Sequence, residues 1–433
     1  MDNKMEVKEK LTKEDIDSLK RNLKVCFDVI VKNIEKKEFD VKEFDVKDKE
    51  DFLKVFHPWQ KVEGKNLIQE FIDNVDVPNS TADFSWLDIL DSDERWKKFK
   101  NNKLKKEIKE NKENKESKKK YTNMRYQIPE HYHGDIDNAI IFHCLENPRG
   151  YLGDWKDIEI DKEFNGASLE RFYKESASKL EETGETLVEI IKNRYKLEKT
   201  DSIADIVYSE ESNLLLELNR IFASEEFTDK KYKNNELKEK GYYYIPEYYS
   251  QLIKKNKKLD FSESMESELK DIAKNICNLE IYPFSCAQPA LGRNGIGEKI
   301  LLNSDLSRFG TYIVLRRIYR FLANGERQKP IFIFRKYDSA WKKLFKTIFK
   351  EVEETENTFI ADKFLKDLEN YFFYCQLRPQ GGGITAGNVM AVPDYKEMVK
   401  KYKKKKQEAF KEIKKSIDVS VDTSNVELVD NQK

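Results

Sequence analysis

Four short, nearly unbroken apolar runs, each leading into a polar or turn-rich loop, constrain this chain more than any other feature. The first covers residues 139–145 and continues as Glu146-Asn147-Pro148-Arg149-Gly150-Tyr151. The second, 279–284, continues as Ser285-Cys286-Ala287-Gln288-Pro289, and the third, 330–334, as Arg335-Lys336-Tyr337-Asp338-Ser339-Ala340-Trp341. The fourth, 371–375, ends in Gln376-Leu377-Arg378-Pro379-Gln380-Gly381-Gly382-Gly383. Apolar runs that do not alternate with polar residues fit strands covered on both faces. Helical stretches at 168–197, 312–323, 341–351 and 361–370 separate them. Strand–helix–strand alternation predicts an α/β fold: a three-layer α/β/α arrangement with a mainly parallel four-stranded central sheet.

The rest of the chain is arranged around that unit. Residues 1–96 read as helical and open with a capping pattern, Thr12 three residues before Asp15. Apolar Ile16, Leu19, Leu23, Phe27, Ile30, Val31 and Ile34 then recur at helical spacing. Trp59, Trp86 and Trp96 suggest that this region has a small core of its own. Residues 97–120 hold twelve Lys against four Glu with almost no apolar residue, and read as a linker. The α/β domain spans 121–395. Within it, about 160–275 is too long for one crossover and is expected to be a helical insertion. A basic helix at 396–415 and a disordered acidic tail at 416–433 complete the expectation.

Composition removes several classes. The 80 Lys+Arg balance 80 Asp+Glu, and 21 Tyr with 26 Phe are too many aromatics for a wholly disordered chain. No apolar run approaches the roughly 18–20 residues of a membrane span, and the first residues are charged, so a cytoplasmic protein with no membrane partner is expected. The five cysteines include no C-x-x-C pair, which argues against a disulfide framework, a zinc ribbon or an iron–sulfur ligand set. His131 and His133 are spaced to share a metal on a strand, yet no further ligand completes a site. No metal and no cofactor are expected.

Ligands of such a sheet bind outside the carboxyl ends of its strands, where all four unusual loops fall. None is a phosphate-loop or dinucleotide fingerprint. In order and type they resemble the uracil-DNA glycosylase superfamily. Glu146-Asn147-Pro148-Arg149-Gly150 is similar to its first motif, in which an Asp or Asn before Pro positions the attacking water. Ile281-Tyr282-Pro283-Phe284 resembles a second-strand segment near the base pocket. Arg378-Pro379-Gln380-Gly381-Gly382-Gly383-Ile384-Thr385 takes the place of the closing motif that enters the minor groove.

The resemblance implies a monofunctional DNA glycosylase acting on double-stranded DNA. It would hydrolyse the N-glycosidic bond of a flipped-out uracil-like or modified base, with defence against phage DNA carrying modified bases as one setting. Asn147 is the implied catalytic residue, and Glu146, Pro148, Tyr151, Tyr282 and Phe284 form the implied base pocket. Arg335, Arg378, Gln380, Gly381, Gly382, Gly383 and Asn388 are the implied DNA contacts. A monomer is favoured. The His often found in the closing loop is missing, and Arg149 stands where a smaller or aromatic residue is common. These departures motivate the alternative, a non-catalytic nucleic-acid-binding protein on the same scaffold. Each residue also has a plain structural reading: a strand-ending turn at Asn147-Pro148, core aromatics at Tyr282 and Phe284, a flexible turn at the glycines.

Overall fold

Helix α1 (Lys13–Ile34) begins at the expected cap. Thr12 Oγ1 accepts from the Asp15 N–H at 3.1 Å, and Asp15 Oδ2 accepts from the Thr12 N–H at 2.9 Å, so two otherwise unmatched donors are satisfied together. Helix α2 (Lys49–Phe56) is capped in turn by Asp48, whose carboxylate accepts from the Asp51 N–H. The computed structural model describes residues 11–34, 45–59, 95, 130–146, 208–227, 230–254, 258–283, 301–326, 328–378, 382–396 and 402–417.

After α2 come β1 (Tyr132–His133), β2 (Ile141–Leu145), β3 (Tyr208–Ser209), α3 (Asn213–Phe222), β4 (Lys231–Tyr232) and α4 (Asn234–Glu239). A π-helical turn (Ile245–Tyr249) leads into α5 (Ser250–Ile253), β5 (Leu259–Asp260), α6 (Glu263–Lys274) and β6 (Ile276–Glu280). Then follow α7 (Asp305–Asn324), β7 (Ile331–Phe334), a second π-helical turn (Tyr337–Trp341), α8 (Lys342–Thr355) and α9 (Ala361–Tyr371). The described chain closes with β8 (Phe373–Gln376), β9 (Val389–Ala391), α10 (Val392–Lys396) and α11 (Tyr402–Ser416).

The architecture is mixed α/β. Strands β6-β2-β7-β8 pair in parallel and are the four apolar runs. The expected four-stranded sheet is nevertheless corrected: the order is β3-β1-β6-β2-β7-β8-β9, seven strands, with antiparallel pairing at β1–β6 and β8–β9. The added strands have two or three residues, too few to show any periodicity. The second strand begins earlier than its apolar run, at Ile276, because the polar Asn278 inside it is matched in the interior. The fourth begins later, because Tyr371 still closes α9.

Alternate strand residues enter two hydrophobic clusters. Ile141, Ile276, Ile331, Ile333 and Tyr374 join the apolar faces of α3, α6 and α11. Phe142, Cys144, Cys277, Leu279, Phe332, Phe334 and Phe373 join those of α7, α8 and α9. Leu19, Leu23, Phe27, Phe52, Phe56 and Trp59 belong to that second cluster, so the described N-terminal helices do not close a core of their own as expected. The described part of the expected helical insertion is also not all helical, since β3 pairs with β1 and β4 with β5. Trp86, Trp96, the Lys-rich segment 97–120, the helical stretch 168–197 and residues 418–433 of the tail lie outside the described residues.

Arginines buried on α7 fasten the loop before α2 and the neighbouring α8 in place. Arg316 donates from Nε to the Val46 carbonyl at 2.8 Å and from Nη2 to the Lys47 carbonyl at 2.7 Å, pairs with Asp137, and lies over the Phe52 ring. Arg308 meets Glu351 through two parallel hydrogen bonds of 2.8 Å. Removing one partner from such a buried set strands the other, at a cost of about 3–5 kcal/mol. Arg316→Ala should therefore lower unfolding stability by that amount, read from denaturant midpoints, whereas exposed Lys403→Ala should change it by less than about 0.5 kcal/mol.

Candidate active site at the strand ends

The order β6-β2-β7-β8 contains one reversal. The chain runs from β2 to β6 through helices on one face, and from β7 to β8 through α8 and α9 on the other. The crevice between β2 and β7 is thus the topological switch point, where open α/β sheets bind ligands. Glu146 follows β2 there, and Arg335 and Lys336 follow β7.

These groups meet. Glu146 Oε1 lies 3.4 Å from Arg335 Nη2, and its Oε2 lies 3.4 Å from Lys336 Nζ. The Arg335 N–H donates to the Cys144 carbonyl at 2.9 Å, which extends the β2–β7 ladder by one step. Its Nη1 donates to Tyr248 Oη at 2.7 Å, and its guanidinium stands 5.6 Å from the centre of the Tyr248 ring. Lys336 is the only described residue other than glycine with a positive φ, 51°. That left-handed turn is unfavourable for a side chain with a Cβ, by about 1–2 kcal/mol, and directs the chain into the second π turn. Trp341, at the end of that π turn, donates from Nε1 to the Leu145 carbonyl at 3.2 Å and holds the end of β2.

Two residues deeper than Arg335, on the same sheet face, His143 of β2 is in register with Asn278 of β6 and Ile333 of β7. His143 Nδ1 is 3.0 Å from Tyr249 Oη, which accepts from Asn278 Nδ2 at 2.6 Å; Asn278 Oδ1 accepts from the Asn213 N–H at 3.2 Å. The amide orientation of Asn278 is therefore fixed from outside. Which of Tyr249 Oη and His143 Nδ1 donates depends on the imidazole tautomer. Burial, then the Arg335 charge, lowers the His143 pKa to about 3, with Gln376 opposing weakly.

Glu280, at the end of β6, shares this face. Its carboxyl is 5 % exposed, and Oε2 has no hydrogen-bond partner. Burial, followed by the charges of Glu130 and Glu146, raises its pKa well above the carboxylate range, against the pull of Arg335. Neighbouring Glu130 is raised by burial to about 8.

The strand ends bring Glu146, Arg335 and Tyr282 near one another, with the Tyr282 N–H donating to the Glu146 carbonyl at 3.0 Å. The Tyr282 ring, 2 % exposed, lies in the cluster on the opposite face from Glu280, as a core aromatic. Arg378 is exposed. Asn388 spends both ends of its amide on its own loop: Oδ1 accepts from the Arg378 N–H at 2.8 Å and Nδ2 donates to the Gly383 carbonyl at 3.0 Å. A Cβ on Gly382 would meet Asn388 Nδ2 at 2.4 Å, and one on Gly383 would meet the Glu247 carbonyl oxygen at 2.4 Å. Close packing against the chain itself is thus what requires glycine at both positions. Asn147, Pro148, Tyr151, Phe284, Gln380 and Gly381 lie outside the described residues. Sequence reasoning missed Glu280, Tyr248, Tyr249 and Gln376. A charge and an amide at the ends of apolar runs, and the tyrosine-rich stretch 242–249, were the signals.

The raised pKa of Glu280 sets a direction for stability. A folded-state pKa above the unfolded value of 4.5 contributes stability below that value, and the contribution is lost as pH rises through the folded pKa. Glu280→Gln should therefore gain stability relative to wild type from about pH 5 upward, with the gap widening as pH rises. Urea midpoints of the two proteins across that range check this; a constant gap would contradict it.

In comparisons with known proteins, no family model matches this chain, and no curated protein and no solved structure matches it either.

Proposed function

We propose that this chain is a monofunctional DNA glycosylase with a three-layer α/β/α core, related to the uracil-DNA glycosylase superfamily. It releases a flipped-out uracil-like or modified base from double-stranded DNA as a monomer in the cytoplasm, with phage DNA carrying modified bases as a candidate substrate. The observation that carries the reading is the switch-point crevice. Glu146, directly before Asn147-Pro148, is held against Arg335 and Lys336 at the strand ends where an α/β sheet binds its ligand.

The chemistry follows from those residue types. As the N-glycosidic bond breaks, its electron pair leaves with the base and the sugar becomes oxocarbenium-like. Water adds at C1′; its oxygen keeps one proton as the new sugar hydroxyl, and the other neutralises the departing base, directly or through solvent. Asn147 orients that water through its amide oxygen without ionising, and Pro148 fixes the turn that presents it. Arg335, clamped by Tyr248 and Glu146, supplies fixed positive charge for a DNA phosphate or for charge developing on the base. Arg378, exposed beside the fourth loop, is free to reach the duplex.

Asn147→Ala should abolish base release while changing DNA affinity by no more than severalfold. The assay incubates the protein with unmodified, uracil-containing and hypermodified phage DNA, then reveals abasic sites with alkali. Full activity in the variant would remove Asn147 from the mechanism. No abasic sites on any substrate would leave a non-catalytic nucleic-acid-binding protein.

A further inference from the structure

A buried carboxyl that no donor holds in its ionised form responds to whatever charge comes near it. Glu280 of β6 is such a group: it is 5 % exposed, and its Oε2 has no hydrogen-bond partner. It pairs in register with Leu145 of β2, the residue before Glu146. The charges that face it come from three other segments: Glu130 before β1, Glu146 after β2 and Arg335 after β7. Cys144, Tyr248 and Tyr249 face it too, and burial raises the pKa of each, so these three stay neutral.

The charges at the crevice nearly cancel. Glu146 lies 3.4 Å from both Arg335 and Lys336, so one carboxylate already serves two cations. With Glu130 and Glu280 protonated, this group keeps one net positive charge. With both ionised, it carries one net negative charge. Proton occupancy of two carboxyls therefore sets the sign of the field that an anion meets there. Burial and the neighbouring carboxylates favour the protonated Glu280, against the pull of Arg335, and burial raises Glu130 to about 8. An anion seated on the two cations would offset that pull and add repulsion of its own.

We propose that Glu280 is a proton-linked control on anion binding at the switch-point crevice: a phosphodiester held by Arg335 and Lys336 keeps Glu280 protonated, and an ionised Glu280 weakens that binding. The linkage is reciprocal. Where the free protein has Glu280 ionised, binding takes its proton from solvent, so affinity falls as pH rises. Glu130 acts in the same direction. The choice of a DNA phosphodiester rests on the glycosylase reading, while the linkage itself rests on the charges at the crevice.

Fluorescence anisotropy on the full chain, at fixed ionic strength from about pH 6 to about pH 9, tests this. Two Cy3-labelled probes are used: duplex DNA, and an oligomer of abasic tetrahydrofuran phosphodiesters that has the charge but no base. Wild-type affinity should fall as pH rises. Glu280→Gln should bind like wild type near the acid end and about fivefold or more tighter near the alkaline end, the effect of one charge about 10 Å from a phosphate. Glu280→Leu should show the same gain, which separates charge from hydrogen bonding, and a gain in affinity does not arise from a damaged fold. The same pH dependence in wild type and both variants, affinity that rises with pH, or no binding of either probe would overturn the proposal. Linkage seen with the abasic oligomer while no DNA loses a base supports the control and removes the glycosylase reading. Base release from DNA with wild-type affinity in Glu280→Gln at every pH does the reverse.

Discussion

Burial of the central strands on both faces governs the rest of this structure. Between two hydrophobic clusters, a polar side chain in mid-strand must be matched by another part of the chain or lower the stability of the fold. Asn278 and His143 are such residues, adjacent in register, and one hydroxyl serves both. That hydroxyl belongs to the first π-helical turn, where Tyr249 bonds His143 and Asn278 while Tyr248 reaches Arg335 at the strand ends. π turns are rare and concentrate at functional sites. Here one turn links the interior of the sheet to the guanidinium at its edge.

The same accounting explains the buried arginines of α7. A helix with buried residues all round leaves no solvent for its cations, so each guanidinium must find carbonyls or carboxylates nearby. Five donors in a rigid fork suit this better than an ammonium would. Arg316 satisfies them with the loop before α2, and Arg317 with the Ala139 carbonyl and Glu326. The loop that leads into α2 is therefore joined to α7 by directional bonds as well as by the apolar contacts of Phe52 and Phe56.

The legible parts of the sequence were those with strong patterning. The four apolar runs became the parallel strands, Thr12 with Asp15 capped α1, and Ala361 opened α9 as its spacing predicts. Short strands such as Tyr132–His133 carried no pattern to read and owe their existence to the edge of β6. Part of the site was legible because loops at strand ends are defined by order alone, which gave Glu146 and Arg335. Tyr248 and Tyr249 were not, since they arrive from a segment about a hundred residues away and nothing local marks them as partners of β2 and β7. Tyr282 and Asn388 show the converse. Both sit in loops of the expected kind, yet one is packed in the core and the other braces its own turn.

Two buried glutamates separate structural from functional polarity. Glu217 of α3 is as buried as Glu280, and desolvation raises its pKa too, but three backbone N–H groups oppose that rise. Those of Tyr243, Tyr244 and Ile245 bond its carboxylate at 2.6, 2.9 and 2.8 Å, and so hold the start of the π turn. That charge is built into the fold and its burial is compensated there. Glu280 receives no such donors, and an unmatched oxygen of its carboxyl lies where the sheet ends. The left-handed Lys336, the second π turn and the paired Glu146 and Arg335 fall within the same few strand-end positions. A buried carboxyl compensated at Glu217 but left open at Glu280, beside a left-handed turn and a π turn, marks that strand end as a place where local preference yields to something other than folding.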